Sequence, residues 1–577
     1  MLKFRGDTLR VELMVTARED GDAFLRTNLG QGKIARQEII RMVEYREFPL
    51  ANDWYDIPMK PSGTGGYSLV LPLCEVGHFE AKGYFLPKTD GKPVWPEGPN
   101  LSVNVEPAHT CCGNIIYNAF VRQFGPNKNG GFFNSLSRNE IQKLDRLGYV
   151  VIPPSGTFRD LIKELDFIIK TLGCRYIQLL PIHPTPTTYA RMGRYGSPYA
   201  ALSFTAVDPA LAQFDVKATP LEQFIELVDA IHYRNGRILI DIAINHTGWA
   251  ASLHEMHPEW LSRDAEGRIE MPGAWGVRWE DLTKLDYRRK DLWKYMSDVF
   301  LTWCRRGVDG FRCDAGYMIP VEAWKYMISR VRNEYPDTLF FLEGLGGKVS
   351  VARDLLNTAN FNWAYSELFQ NYDRRQIEGY LPEAIDISGS DGLTAHYAET
   401  HDNDRLASRS TLYAKMRTAL CALVSHSGAF GFANGVEWFA TEKIIVHESP
   451  SLNWGASENQ VHEIGVLSRL LTNHPAFSDN TRLSLIQCGG ENCIVLLRRH
   501  ESSGKEVLVA VNLDDHRSNT AQWEMRRTQM SGHIWTDLLT EARVNIHVSN
   551  DVGSLTLSPG QAMCLTDQYS DLRFVEW

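Results

Sequence analysis

From residue 113 to 432 the chain alternates short apolar runs with segments of helical period, and no other feature restricts the fold so tightly. The runs are 115–120, 176–182, 238–245, 308–314, 339–344, 361–368, 394–402 and 429–432. They are short and apolar on both faces, as strands buried from both sides are. Between them lie segments such as FRDLIKELDFIIKTL, TPLEQFIELVDAIHYRNG and VEAWKYMISRVRNEY, whose apolar residues recur with helical spacing. Eight β/α repeats predict an α/β fold, a closed (β/α)8 TIM barrel rather than an open sheet.

The flanks have a different texture. Residues 1–112 carry the strand-like runs RVELMV, YSLVLPL and LSVNVEP, separated by turn-rich PSGTGG and PKTDGKPVWPEGPN, which predicts an N-terminal β-sandwich. Residues 479–577 return to strands with NCIVLLRR, EVLVAVNL, GSLTLS and QAMCLT, predicting a C-terminal all-β sandwich. The barrel then occupies 113–478, and a chain of 577 residues is long enough for three such units. Two connections, 183–217 and 247–287, are too long for simple loops, and the second is expected to be an inserted subdomain. Both follow strands, so they fall on the barrel face where active sites are built.

Composition narrows the partners. A net charge of −10 argues against a nucleic-acid partner, which needs a concentrated basic face. The ten cysteines are scattered without a C-x-x-C pair, so reduced thiols in a cytoplasmic setting are expected. The first residues, MLKFRGDTLRVELMVTARED, show no apolar leader, and no membrane span or membrane partner is expected. Oligomeric state is left open. The 15 Trp and 22 Tyr suit stacking on sugar rings as well as they suit a core.

The chemistry-bearing residues stand at the ends of predicted barrel strands. Asp241, Asn245 and His246 close the third, Arg312 and Asp314 the fourth, Glu343 the fifth, and His401 with Asp402 the seventh. Singly, an Asp in such a place reads as a helix cap and a His as a packed side chain. Together, three carboxylates from three strands crowd like charges into one mouth, which a purely structural origin does not explain. Paired carboxylates are what glycoside cleavage needs: one as nucleophile, the other as an acid of raised pKa. An Arg two residues before an Asp on a strand projects to the same face and can hold that Asp ionised. A zinc site built on His246, Asp314, Glu343 and His401 uses the same letters, but no HExxH or H-x-H pair supports it. Asn245 beside the long acidic loop leaves structural calcium open without making it an expectation.

Four motifs, DIAINH (241–246), GFRCDA (310–315), FLEG (341–344) and ETHDN (399–403), resemble in order and spacing those of the α-amylase family of retaining α-glucan hydrolases and transglycosidases. YNAFVRQFG, LLPIHPTP and YGSPYAALSFTAVDP resemble further segments of it, and the chain is somewhat like maltosyltransferases and glucanotransferases. The resemblance implies Asp314 as nucleophile, Glu343 as general acid/base and Asp402 as stabiliser of the transition state. It implies Arg312 as the group orienting Asp314, His246 and His401 as ligands of sugar hydroxyls, and Tyr199 as an aromatic platform. Asp241 is implied to support Arg312 or His246 without touching substrate.

Two departures stand out. Ala200 follows the platform Tyr where the family has Asp, and Gly316, Tyr317 and Met318 stand where it has a Lys–His pair. The activity implied is double displacement on α-1,4-glucans such as glycogen or maltodextrin, with glucano- or maltosyl transfer favoured and no cofactor needed. Endo-hydrolysis and α-1,6 debranching are the alternatives within the class; a non-catalytic α-glucan-binding protein on the same fold is the alternative outside it. The front sandwich is a candidate carbohydrate-binding module, with Trp54, Trp95 and Tyr67 as candidates for stacking.

Overall fold

The computed structural model describes residues 1–16, 20–63, 65–89, 91–130, 138–148, 154–187, 190–274, 276–344 and 347–575. Residues 188, 189 and 275, within the two long connections, lie outside that set.

The eight predicted strands are present: β1 (Ile115–Ala119), β2 (Tyr176–Leu179), β3 (Arg237–Ile242), β4 (Gly310–Cys313), β5 (Leu339–Leu342), β6 (Trp363–Tyr365), β7 (Leu393–Tyr397) and β8 (Phe430–Ala433). They pair in sequence order, each parallel to the next, and β8 closes on β1. Most stop short of their apolar runs. The residues beyond, Asn245, Asp314, Glu343 and Asp402 among them, leave the ladder and turn over the barrel mouth. Gly310 opens β4 because a side chain there would meet the Leu339 carbonyl at 2.6 Å.

Alternate residues of each strand point inward and fill the barrel. The lower layer is apolar, with Ile116, Tyr176, Leu239, Leu339, Trp363 and Leu393 packed together and Leu2 and Phe4 of the front sheet closing the bottom. Above it Gln178 is held by two tyrosines: its Nε2 donates to Tyr365 Oη at 3.0 Å, and Tyr397 Oη donates to its Oε1 at 2.7 Å. This satisfied polar layer is the floor of the mouth, because the Arg312 guanidinium lies 5.5 Å from the Tyr365 ring.

The front segment holds a five-stranded and a three-stranded sheet, with Leu25, Met59 and Phe85 of one face packed near Leu13, Tyr67 and Leu69 of the other. It is not all strand. The sequence pattern does not signal the helix Gly32–Glu44: its first turn has no acidic residue, its N-cap Gln31 makes no side-chain bond, and the Gly32 N–H is instead met by the distant Glu75 carboxylate at 2.7 Å. Glu44 near its end ties it to the barrel, accepting from Tyr326 Oη at 2.8 Å and from Arg330 Nη1 at 2.8 Å. At the other end, sheets of six and four strands enclose a core around Trp523 and Trp535, whose rings are 5.8 Å apart. Among the described residues no helix is long and apolar enough to cross a membrane.

The connection after β3 folds back on itself. His246–Gly248 pairs antiparallel with Leu282–Lys284, and Gly273–Ala274 with Val277–Arg278. This places Arg278, Trp279, Glu280 and Asp281 along the mouth.

Candidate active site

Strand register builds the centre. Asp241 on β3 and Arg312 on β4 are register partners, so their side chains project together into the barrel. Arg312 Nη1 donates to both Asp241 oxygens at 3.0 Å and to Asp314 Oδ1 at 2.6 Å. Arg312 and Asp241 are 1% and 0% exposed, so each charge requires the other to stay in the interior. Burial alone would weaken the guanidinium; the charges of Asp241 and Asp314 outweigh it and hold the group ionised. Asp314 reaches the cavity with Oδ2 free of Arg312.

The turn after Asp314 is strained for a purpose the geometry shows. Ala315 has φ +42°, a left-handed conformation that costs a non-glycine residue roughly 1–2 kcal/mol. In that conformation its N–H donates to Glu343 Oε2 at 2.7 Å, fixing the second carboxyl to the turn that follows the first. Glu343 is 9% exposed, and burial pushes its carboxyl up to about 7, with Arg312 opposing the shift and the charge of Asp314 adding to it. The two carboxyl groups thus differ: Asp314 is paired with a guanidinium, whereas burial raises Glu343 so that a large share of it keeps its proton near neutrality.

Asp402, just beyond β7, is the exposed member of the trio, with 63% of its side chain accessible. His401 beside it is buried and threaded into a chain of hydrogen bonds. Asn118 Nδ2 on β1 donates to His401 Nδ1 at 3.2 Å, His401 Nε2 lies 2.6 Å from Tyr199 Oη, and Tyr199 Oη donates to Asp241 Oδ2 at 2.9 Å. The Tyr199 and His401 rings stack at 5.8 Å. On the other side, His246 Nδ1 faces Asn245 Oδ1 and its Nε2 lies 3.2 Å from the Tyr199 carbonyl. Burial holds both imidazoles below their usual range, so both are neutral. Asn245 Nδ2 also donates to the Asp314 carbonyl at 3.0 Å, fixing the backbone of that turn.

These groups line a cavity of about 740 Å³, a size that takes a small ligand. Seven of the eight candidate residues line it: Asp314, Glu343, Asp402, Arg312, His246, His401 and Tyr199. Asp241 does not; it sits beneath Arg312 and Tyr199. The sequence reading missed Asn118, and missed Trp279, Phe369 and His447 on the wall. Asn118 interrupts the apolar run of β1 and carried a faint signal; Phe369 sits in the 3-10 turn after β6, and Trp279 and His447 come from loops whose direction no local pattern gives.

The two departures from the α-amylase motifs have distinct surroundings. Ala200 is fully buried against Gly248, where a side chain at Gly248 would meet the Ala200 carbonyl at 2.6 Å. Residues Gly316–Met318 form a single 3-10 turn that sends Tyr317 to the cavity wall in place of a cation. Elsewhere the three stacking candidates have different surroundings. Tyr67 packs against Phe85 between the front sheets, Trp95 lies at 4.5 Å on Tyr84, and Trp54 lines a separate cleft beside helix Gly32–Glu44.

No family model matches the chain. One curated relative is the α-1,4-glucan:maltose-1-phosphate maltosyltransferase of Cereibacter sphaeroides, 26% identical over 400 residues, or 64% of this chain and 58% of that protein. The match therefore spans less than two thirds of the relative's length. Among solved structures, an α-amylase from Lactobacillus plantarum superposes with a TM-score of 0.61 at 21% identity, over 79% of this chain and 99% of that one. A pullulanase from an Anoxybacillus species, complexed with maltotetraose, gives 0.60 at 15% identity over 98% of this chain and 87% of that one. The fold is that of the α-amylases.

Proposed function

We propose that this chain, built on the α-amylase barrel, is a retaining transglycosidase that cleaves α-1,4-glucan and passes the glycosyl unit to a sugar acceptor. One observation carries the reading: Asp314, held by Arg312, and the buried Glu343, whose carboxyl burial raises, line one mouth. Asp314 Oδ2, the oxygen that Arg312 leaves free, attacks the anomeric carbon. Glu343 gives its proton to the departing glycosidic oxygen, and a covalent glycosyl–Asp314 ester forms. Glu343, now a carboxylate, takes a proton from the acceptor hydroxyl, whose oxygen displaces Asp314 and restores the α-configuration. Asp402, His246 and His401 hold the hydroxyls of the sugar undergoing reaction, and Tyr199 supports its ring. Asp241 is a positioning residue that acts through Arg312 and Tyr199. Each step uses groups of this chain.

The donor in the relative's name, maltose 1-phosphate, is a phosphate ester, but this cavity favours an uncharged one. Besides the raised Glu343, its described lining carries the carboxylates of Asp314, Asp402, Glu280 and Asp281 against two guanidinium groups, Arg278 and Arg312, and Arg312 is already paired. Burial holds His246, His401 and His447 below their usual range, so they add no charge. A phosphate dianion meets net repulsion there. Transfer is favoured over hydrolysis by the name of the relatives and by the wall of Tyr317, Trp279 and Phe369, which screens water from the ester.

Maltoheptaose incubated with the enzyme, with Asp314→Asn as control, tests this by product length in mass spectrometry. Longer and shorter chains from the wild type alone support transfer. Shorter chains alone make it an endo-hydrolase. No turnover of maltoheptaose, branched glucan or maltose 1-phosphate leaves a glucan-binding protein.

A further inference from the structure

Two sulfurs meet at the end of the barrel away from the mouth. Cys111 and Cys112 precede β1, and Cys111 packs at the edge of the apolar cluster that closes the barrel bottom. Their Sγ atoms lie 3.9 Å apart, with Cys111 donating to Cys112. Both thiols are half-buried, whereas six of the other eight are buried and two, Cys74 and Cys488, are exposed.

The surroundings single out Cys112. Arg175 Nη1 donates to its carbonyl at 3.0 Å, which brings a guanidinium beside the sulfur. The hydrogen bond from Cys111 and the charge of Arg175 bring the Cys112 thiol down to about 7, against burial and the Asp479 carboxylate. A thiolate at neutral pH with a second thiol in contact is the arrangement a redox-active pair requires: one sulfur to be oxidised, another to resolve it. Nothing in the barrel chemistry uses these residues.

We propose that Cys111 and Cys112 are a redox-active vicinal dithiol that closes to a disulfide on reaction with a hydroperoxide. The Cys112 thiolate attacks the terminal peroxide oxygen; the O–O bond breaks, and hydroxide or alkoxide departs as Cys112 becomes a sulfenic acid. Cys111 sulfur then attacks Cys112 sulfur and displaces hydroxide, which leaves as water with one of the protons released. With hydrogen peroxide, two thiols and one peroxide give one disulfide and two waters. Closure moves the sulfurs from 3.9 Å to a bond of about 2.05 Å. Adjacent Cα atoms lie about 3.8 Å apart, nearer than in most disulfides, so the bridge belongs to the readily reduced kind.

The test is peptide mapping of the intact enzyme after a short hydrogen peroxide pulse. Trypsin releases 89–122, which contains no cysteine besides these two. The expected result is a peptide lighter by two hydrogens, resistant to iodoacetamide and restored by dithiothreitol, formed before Cys74 or Cys488 is oxidised. Cys111→Ser should stop at a sulfenic acid that dimedone traps on Cys112, and Arg175→Gln should slow closure several-fold with the glucan reaction unchanged. Oxidation of the exposed Cys74 and Cys488 first, or independent oxidation of both sulfurs to sulfinic acids, would overturn the proposal. Trapping of the sulfenic acid on Cys111 in Cys112→Ser at the wild-type rate would overturn the assignment of the attacking sulfur.

Discussion

Replacing Glu343 with Gln should stabilise the protein while it destroys activity, and the gain should depend on pH. Glu343 is 9% exposed, and its carboxyl is raised from 4.5 to about 7, chiefly by burial. A group with a raised folded pKa holds its proton more tightly folded than unfolded. Its contribution is fully present below 4.5 and is lost as pH rises through about 7. At 1.36 kcal/mol per unit, ionised Glu343 costs the folded state roughly 3 kcal/mol above pH 8. Gln keeps a carbonyl oxygen for the Ala315 N–H and carries no charge. Thermal melting of both proteins at pH 4.5 and pH 8 measures the difference: the variant should match wild type at the lower pH and melt several degrees higher at the upper. An equal difference at both values, or a less stable variant at pH 8, would refute the reasoning. In the proposed mechanism the same proton is the one given to the leaving oxygen, so kcat/KM for maltoheptaose should fall as pH rises through about 7. A glycosyl fluoride donor, whose fluoride leaves without protonation, should lack that limb.

Three further changes have expected outcomes. Arg312→Met leaves Asp241, which burial already raises to about 7, without its cation, so at pH 8 the change should cost about 3–5 kcal/mol in urea unfolding, and Asp241→Asn in the same chain should recover much of it. Tyr317→Ala opens the cavity wall beside Glu343, so the ratio of shorter to longer products from maltoheptaose should rise at least several-fold as water gains access to the ester. Trp95→Ala removes the exposed end of the Phe24–Tyr84–Trp95 row of rings, and if the front sandwich binds glucan there, affinity for polymeric glucan should fall while kcat/KM for maltoheptaose holds.

The eight strands were legible because a parallel strand buried on both faces leaves a continuous apolar run, and helices of the right length separate the runs. Their C-terminal ends were not, since residues such as Ile244 stay apolar after the ladder stops at Ile242. The carboxylates were legible as a set because they punctuate those runs, and register then joined Asp241 to Arg312. The helix Gly32–Glu44 was hidden by its missing start signal and its strand-rich neighbourhood. The wall residues Trp279 and His447 were hidden for another reason: their positions are fixed by how loops fold over the mouth, which depends on tertiary packing. The left-handed turn at Ala315 gave no sign at all, because an alanine there contradicts local preference.

The central claim is that Asp314 forms a covalent bond to sugar, and trapping it is the direct measurement. Glu343→Gln incubated with α-maltosyl fluoride should form the ester, because fluoride needs no acid, and should hold it, because no base activates the acceptor. Trypsin then releases 313–325, the peptide that contains Asp314. The account predicts that this peptide gains the mass of one maltosyl unit, and that Asp314→Asn in the same background abolishes the gain. A maltosyl adduct on a peptide without Asp314, or fluoride release at the full wild-type rate without any adduct, would contradict it.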